Sequence, residues 1–205
     1  MIVFGLSISR RESKRMHTFL NRQEGFSFDF EGDISDISWK NSENIIMNRV
    51  KILEDRLYNN TSKSNKNFHV VGDIGFYFLP YIELLLHNFP YIKFICTKKN
   101  QKNTYNDLLL DIRTTNSIFS RFFLLKKKYK NHWVIHNGKN WEKDYFLDKC
   151  YPKFNTDNLE ESVYKYIELY NSNLKIIQRK YPQNLKILYS DEINSDYGKN
   201  KVLSF

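Results

Sequence analysis

Hydrophobic residues at the start of the chain come in short runs and spaced stripes that predict alternating strands and helices. Residues 1–7 form an apolar run typical of a buried strand. Residues 13–22 place Met16, Phe19 and Leu20 at roughly helical spacing, which predicts an amphipathic helix. Aromatic and polar residues then alternate over 26–30, the pattern of a second strand.

The same alternation continues to the C-terminus. Ser42 precedes a strongly amphipathic stretch, and Pro80 stands at a favoured place to open a helix that would extend to His87. Thr156 or Asp157 is expected to cap a long helix that ends at Lys180. The remaining predicted elements are strands at 68–71, 91–97 and 185–189 and a helix near 104–113.

This order of elements predicts the α/β class, with a central parallel sheet flanked by helices. The 205 residues suffice for one domain, and no linker divides them, so we expect a single domain over 1–205. Ligands of such sheets bind at the carboxyl ends of the strands. We therefore look for functional residues immediately after predicted strands.

Composition adds a strong positive charge to this picture. The formal net charge is +9, which suits an anionic partner such as a nucleotide, a nucleic acid, an acidic glycan or a membrane surface. A codon bias toward lysine and asparagine would produce the same excess. Residues 126–130 carry four lysines, yet no nucleic-acid recognition motif accompanies them, so we rank nucleic acid last among the partners.

Other features narrow the class of protein. Two cysteines, Cys96 and Cys150, form neither a disulfide framework nor a metal motif. His132 and His136 are four residues apart, but Gly138 and the lack of a third ligand argue against a metal site. No apolar run is long enough to span a membrane, and no signal peptide is evident, so we expect a cytoplasmic protein without a metal.

The turn after the first strand is the first candidate site. A strand followed by a helix points backbone N–H groups and a positive helix end at a bound anion. Hydroxyl and cationic side chains that could add donors are Ser9, Arg10, Arg11, Ser13 and Lys14. The alternative is a charged helix start that simply faces solvent.

Asp73 and Lys99 follow two further predicted strands and should lie at the same edge of the sheet. A carboxylate among cations could act as a general base, or it could be a helix cap or a salt-bridge partner. The position alone favours the second interpretation.

Three segments together resemble the sulfotransferase family. The opening "VFGLSISRRESKRM" is similar to the family's 5′-phosphosulfate loop, F-G-L-x-x-x-R-[ST]-G-T-[TS], although Arg11 and Glu12 stand where Ser/Thr and Gly are usual. The segment "GDIGFYFLPYIELLLHNFPYIKFICTKKN" resembles the pattern that ends in the 3′-phosphate arginine, here Lys99, followed by Asn100. The family's serine eight residues later falls at Asp107, or a shift of one residue offers Asn106. The C-terminal segment from Tyr166 resembles the family's closing helix and strand.

The resemblance implies a P-loop NTPase-like sulfotransferase architecture and transfer of a sulfuryl group from PAPS, 3′-phosphoadenosine 5′-phosphosulfate, to a hydroxyl or amine. The acceptor would be a partner such as a glycan or a small metabolite. The residues implied to bind the co-substrate are Ser9, Arg10, Arg11, Ser13, Lys14, Lys99 and Asn100, and those implied in catalysis are Asp73, as the base, and Lys14. Glu12 and Asp107 keep open a catalytically inactive, sulfotransferase-like binding protein.

Overall fold

A computed structural model of the chain describes residues 1–32, 36–58, 68–117, 148–156, 158–193 and 195–204. Within these ranges it contains five strands: β1 (Ile2–Leu6), β2 (Phe26–Phe30), β3 (Val70–Ile74), β4 (Lys93–Lys98) and β5 (Leu185–Tyr189). The α-helices there are α1 (Arg10–Leu20), α2 (Glu43–Tyr58), α3 (Ile82–Asn88), α4 (Gln101–Ser117), α5 (Leu159–Lys180) and α6 (Asp196–Leu203). Short 3₁₀ helices span Phe76–Tyr81 and Asp148–Cys150.

The five strands form one parallel sheet in the order β2-β3-β1-β4-β5. This confirms the predicted α/β class with a parallel sheet flanked by helices. The chain leaves β1 for one side of the sheet and then crosses to β4 on the other side. The point between β3, β1 and β4 is thus where the strand order reverses, and a ligand crevice is expected there at the carboxyl ends.

The central strands are buried on both faces because helices cover the sheet on each side. Phe4 belongs to the larger core cluster, which holds residues of α2, α3 and α5, whereas Val3 belongs to a smaller cluster with α1 and α6. Neighbouring residues of β1 thus serve opposite faces, as the period of two in a strand requires. Burying each such side chain contributes about 1.5–3 kcal/mol.

Helix α1 packs against the sheet at very close range. A Cβ atom at Gly5 would lie 2.6 Å from Met16 Sδ and 2.7 Å from Ile74 Cγ1, so only glycine leaves room for this contact. The helix begins at Arg10, three residues before the predicted start, because the extended Ser9 caps it. The early start brings Arg10, Arg11 and Glu12 into the first turn of α1.

Other boundaries were predicted with mixed success. The first two strands and β5 lie where the pattern placed them. Pro80 lies inside the first 3₁₀ helix, and α3 begins only at Ile82. The cap of α5 is Asn158, whose Oδ1 accepts from Glu160 N at 2.9 Å and Glu161 N at 3.2 Å, so the prediction of Thr156 or Asp157 is wrong.

Some predictions fall outside the described residues. These include the pair His132 and His136 and the basic residues 126–130. The single domain over 1–205 stays a prediction for the same reason. No helix in the described part of the chain has both the length and the apolar character that crossing a membrane requires.

Candidate functional site

Four charged side chains meet where β1 and β4 end, and we call Arg11, Glu12, Lys99 and Asp107 the loop cluster. Lys99 Nζ donates to Asp107 Oδ2 at 2.6 Å and lies 3.8 Å from Glu12 Oε1. Arg11 approaches the other oxygen of Asp107 at 3.6 Å. The structure thus brings the opening turn and the end of β4 together, as their positions after parallel strands predicted.

Asp107 occupies the position that the ungapped resemblance gives to a serine. Its carboxylate faces Lys99, whereas Asn106 is exposed on α4. Of the two aligned positions, Asp107 is the one with a contact to Lys99 in this structure. An internal carboxylate neutralises the lysine that the resemblance assigns to a phosphate.

Glu12 is almost completely buried at the start of α1. Its side chain is 2% exposed, and its Oε1 accepts from Arg15 at 3.1 Å. Its Oε2 has no hydrogen-bond partner among the described residues. A buried carboxylate oxygen without a donor costs free energy, so the contacts of Oε1 with Arg15 and Lys99 compensate only part of the burial of Glu12.

The serines of the turn form an internal chain of hydrogen bonds. Ser7 Oγ donates to Ser9 O at 2.7 Å, so Ser13 Oγ must be the donor in its 2.6 Å bond to Ser7 Oγ. Ser9 Oγ accepts from Glu12 N at 3.4 Å. Because Ser9 and Ser13 are both buried, their hydroxyls shape the turn in this conformation.

Arg10 turns toward β2 and away from the loop cluster. Its Nε lies 2.8 Å from both carboxylate oxygens of Glu31, which directly follows β2. The backbone of Glu31 has φ 53°, in the left-handed region that non-glycine residues seldom adopt. Burial raises the pKa of Glu31 and outweighs the attraction of Arg10.

A second group of charges lies beneath this turn, and we call Asp29, Arg49, Arg56 and Asp73 the buried ion network. Arg49 Nε donates to Asp73 Oδ2 at 2.8 Å, and its guanidinium also contacts Asp29. Arg56 donates to both oxygens of Asp29, at 3.0 and 2.7 Å. The predicted base Asp73 therefore has an arginine partner and a side chain with no exposed surface.

The backbone around Gly32 connects this network to Glu31. Gly32 N donates to Asp73 Oδ1 at 3.3 Å, and Gly32 O accepts from Tyr77 at 2.8 Å. A Cβ at Gly32 would lie 2.5 Å from the guanidinium of Arg49. The close packing of backbone on ion pair explains why a glycine stands here.

Burial and neighbouring charges together shift the pKa values of the network. Desolvation raises the pKa of Asp73 to about 6, against the opposing attraction of Arg49 and the hydrogen bond from Gly32. For Asp29, burial also raises the pKa, but Arg56 and Arg49 together lower it below its ordinary value. Burial lowers the pKa of Arg49, and the two carboxylates raise it overall. Asp73 and Glu31 are thus two carboxylates of raised basicity at one edge of the sheet, which is common at functional sites.

Two open clefts adjoin the loop cluster. A cleft of about 500 Å³ lies beyond β4 and β5, and its lining residues are Arg15, Lys98, Lys99, Asn100, Asn103, Tyr189, Ser190 and Asp191. Asn100 also accepts from Lys102 N at 2.9 Å and so caps α4. A shallower groove of about 330 Å³ follows α1, lined by Arg11, Lys14, Arg15, Thr18, Phe19 and Arg22. Lys14 thus lies on the exposed face of α1, outside the loop cluster.

Sequence reasoning missed Glu31, Arg49 and Arg15. Glu31 follows β2 and was detectable in principle, since the carboxyl ends of parallel strands share one edge. Arg49 and Arg15 each lie in a helix with other cations, and nothing in their own spacing distinguishes them. The described residues contain no group of three or more His, Cys, Asp or Glu side chains that could hold a metal ion.

Comparisons with known proteins support the fold. A solved sulfotransferase from Alicyclobacillus acidocaldarius matches with a TM-score of 0.56 and 12% sequence identity, over 97% of this chain and 76% of that chain. No family model matches the chain, and no curated protein matches it. At this identity the likeness concerns architecture, so the chain shares the α/β fold of that sulfotransferase.

Proposed function

We propose that this protein is a sulfotransferase that binds PAPS at the loop cluster and transfers the sulfuryl group to a hydroxyl or amine. The observation that carries the proposal is the meeting of Arg11, the start of α1 and Lys99 at the reversal point of a sulfotransferase-like sheet. Cations, helix-terminal N–H groups and the crevice all suit a phosphorylated nucleotide.

The net charge of this region favours anion binding, but internal carboxylates compete with a bound anion for the cations. Arg10, Arg11, Arg15 and Lys99 face the carboxylates of Glu12, Glu31 and Asp107. One positive charge remains over these seven groups, and Lys14 and Lys98 lie close by in the lining of the two clefts. A nucleotide with two phosphate sites must therefore displace internal carboxylates from their cations. The residues fit the donor, with an affinity that these carboxylates reduce.

The predicted roles are assigned within this frame. We propose that Ser9, Ser13 and the first turn of α1 hold the 5′ group with Arg11, and that Lys99 and Asn100 hold the 3′-phosphate. Arg10 would leave Glu31, and Lys14 would turn from the exposed face of α1, to join the 5′ group. Asp73 stays the predicted base, and Glu31 joins it as a second candidate because its carboxylate contacts Arg10. The raised pKa of each carboxylate is the direction that a base requires near neutral pH. Lys14 is proposed to neutralise charge that develops during transfer.

Ligand-dependent thermal stability tests the donor site. PAP, the desulfated product, should stabilise the protein by about 2.7 kcal/mol at one hundred times its Kd, which corresponds to a rise in Tm of several degrees. AMP, which lacks the 3′-phosphate, should give a much smaller rise. Lys99→Gln should reduce the response to PAP, whereas the matched control Lys175→Gln, an exposed lysine on α5, should not. An unchanged Tm at millimolar PAP would reject the donor site.

A second candidate function follows from the internal carboxylates. Arg10, Arg11 and Lys99 each have a carboxylate partner, so the site resembles one filled by the protein's own anions. In a binding protein without catalysis, PAP would stabilise the fold, but radiolabelled sulfuryl would not move from PAPS to any acceptor in a broad panel. Transfer that Asp73→Asn or Glu31→Gln abolishes without loss of PAP binding would support the enzyme and identify the base.

A further inference from the structure

The exposed face of α1 is the most strongly basic surface among the described helices that adjoin the candidate site. The exposed side chains of α1 include Arg11, Lys14, Arg15 and Thr18, and the turn after Leu20 adds the exposed Arg22. The helix and this turn together present four cations. The groove along this face contains no carboxylate in its lining. Arg11 and Arg15 pair with Asp107 and Glu12, so Lys14 and Arg22 are the two cations of the groove without a carboxylate partner among the described residues.

The dimensions of the groove indicate a chain and not a single anion. From Arg11 to the end of α1 at Leu20 is roughly 14 Å along the helix axis, and the turn that holds Arg22 extends the groove further. The groove also joins the candidate transfer site directly, because Arg15 lines both it and the larger cleft. Arg11 at its other end contacts Asp107. An anionic polymer on this face would thus pass beside the site where the donor is proposed to bind.

The side chains in the groove favour one class of polymer. Proteins that bind single-stranded nucleic acid usually provide several aromatic platforms for bases, and this groove has only the partly buried Phe19. Helices that lie on membranes present large apolar side chains on the exposed face, and none of the exposed large hydrophobic residues described in this structure is on α1. The cations suit the carboxylates of a sugar chain. Thr18 Oγ1 donates to Lys14 O at 2.9 Å and can still accept from a sugar hydroxyl.

We propose that the α1 groove binds an acidic polysaccharide and that such a chain is the acceptor of the sulfuryl group. The acceptor part rests on the proposed function. In the transfer, a sugar hydroxyl oxygen forms a bond to sulfur while the bond from sulfur to the oxygen of the nucleotide 5′-phosphate breaks. The electron pair of the broken bond leaves with the phosphate, and the hydroxyl proton passes to a protein carboxylate. The cations of α1 hold the chain so that its hydroxyl reaches the edge of the sheet.

Binding without any donor tests the groove by itself. Polygalacturonate oligomers, which are carboxylated and unsulfated, should bind the intact protein with an affinity that decreases steeply with salt. The double variant Thr18→Glu/Arg22→Gln should weaken this binding about tenfold or more and lower the slope of log affinity against log salt by about one unit for each lost contact. Lys175→Glu on α5 changes the net charge by the same amount and should leave binding unchanged. Midpoints of thermal unfolding confirm that each variant folds.

Several results would overturn the proposal. Equal weakening in Lys175→Glu would mean that binding follows net charge and not the groove. Tighter binding to oligo-dT of matched charge, or to vesicles containing phosphatidylserine, would replace the polysaccharide by a nucleic acid or a lipid surface. The acceptor role would be lost if radiolabel moved to a small hydroxyl compound but never to polygalacturonate. Failure of the PAP response alone would reject the donor site and leave polysaccharide binding as measured.

Discussion

The loop cluster and the buried ion network use the same side-chain chemistry, but the exposure of their central ion pairs differs. In the loop cluster, Arg11 has a side chain that is 46% exposed and Lys99 one that is 23% exposed, and open clefts adjoin both. In the network, Arg49 and Asp73 are 7% and 0% exposed. A soluble anion can therefore compete for Arg11 and Lys99, whereas the ion pair of Arg49 and Asp73 is accessible only to mutation or protonation. The buried ion pair supports the fold around the candidate site, whereas the partly exposed cations of the loop cluster are accessible to a ligand.

We expect the largest loss of stability when a cation is removed from the buried ion network. Arg49→Leu leaves Asp73 buried without its cation, which should cost about 3–5 kcal/mol of unfolding free energy. Arg56→Leu removes a more exposed partner of Asp29 and should cost about 1 kcal/mol or less. Urea denaturation of both variants measures the difference. Equal losses would show that the two arginines do not differ in the way that their burial suggests.

The pH dependence of stability should identify Asp73 specifically. Its pKa is raised to about 6 in the folded protein, so between the unfolded value of 3.8 and pH 6 the folded state binds more protons. This contribution therefore favours the folded protein at low pH and is lost as pH rises toward 7.

The comparison variant is Asp73→Asn. Relative to it, the wild-type protein should lose about 1–3 kcal/mol of stability between pH 4 and pH 7. Denaturation curves of both proteins at several pH values give this difference. A difference that is constant, or that grows in favour of wild type as pH rises, would contradict the raised pKa.

In the loop cluster, removing a carboxylate should strengthen ligand binding. The carboxylate of Asp107 competes with phosphate for Lys99 and Arg11. Asp107→Asn removes this negative charge, so PAP should bind about tenfold more tightly. Titration calorimetry measures the change, and Glu168→Gln, an exposed glutamate on α5, is the control with the same change in charge. Weaker PAP binding to Asp107→Asn would mean that this carboxylate orients Lys99 for the nucleotide.

The smallest effect concerns the cap of α1. Ser9→Ala removes the acceptor for Glu12 N, and the bond is long at 3.4 Å, so the loss of stability should be about 0.5–1 kcal/mol. Ser9→Asp should restore the cap, yet it adds a negative charge beside the proposed anion site. Recovery of stability together with weaker PAP binding would separate the two roles of this residue. A loss well above 1 kcal/mol in Ser9→Ala would show that Ser9 supports more than the cap.

The sequence predicted the sheet better than the site. A strand is encoded by a few consecutive residues, whereas the site depends on contacts between residues that are far apart in the chain. Strands such as β1 and β5 are visible as short apolar runs whose pattern is complete within five residues. Helix α6 was missed because its eight residues are mostly polar and include Gly198, so no apolar stripe marks it. A hydrophobic pattern predicts a helix only when several apolar residues recur along it at helical spacing.

The candidate site depends on partners that are distant in sequence. The order of the strands correctly predicted that Lys99 lies close to the turn after β1. The pairing of Arg10 with Glu31 spans 21 residues, and that of Arg49 with Asp73 spans 24. Which carboxylate meets which cation depends on the packing of helices α1 and α2, and no local pattern encodes it. The exposed position of Lys14 follows from the start of α1 at Arg10, which the predicted boundary placed too late.

Arg15 links two events that would otherwise be independent. It lines both clefts, and its Nη1 donates to Glu12 Oε1 at 3.1 Å. If a polysaccharide on α1 draws Arg15 away, Glu12 loses its closest cation beside the proposed nucleotide site. The two ligands must then alter each other's affinity by the same factor, whichever binds first. The contact of one arginine with Glu12 would then determine how strongly the donor and the acceptor affect each other's binding.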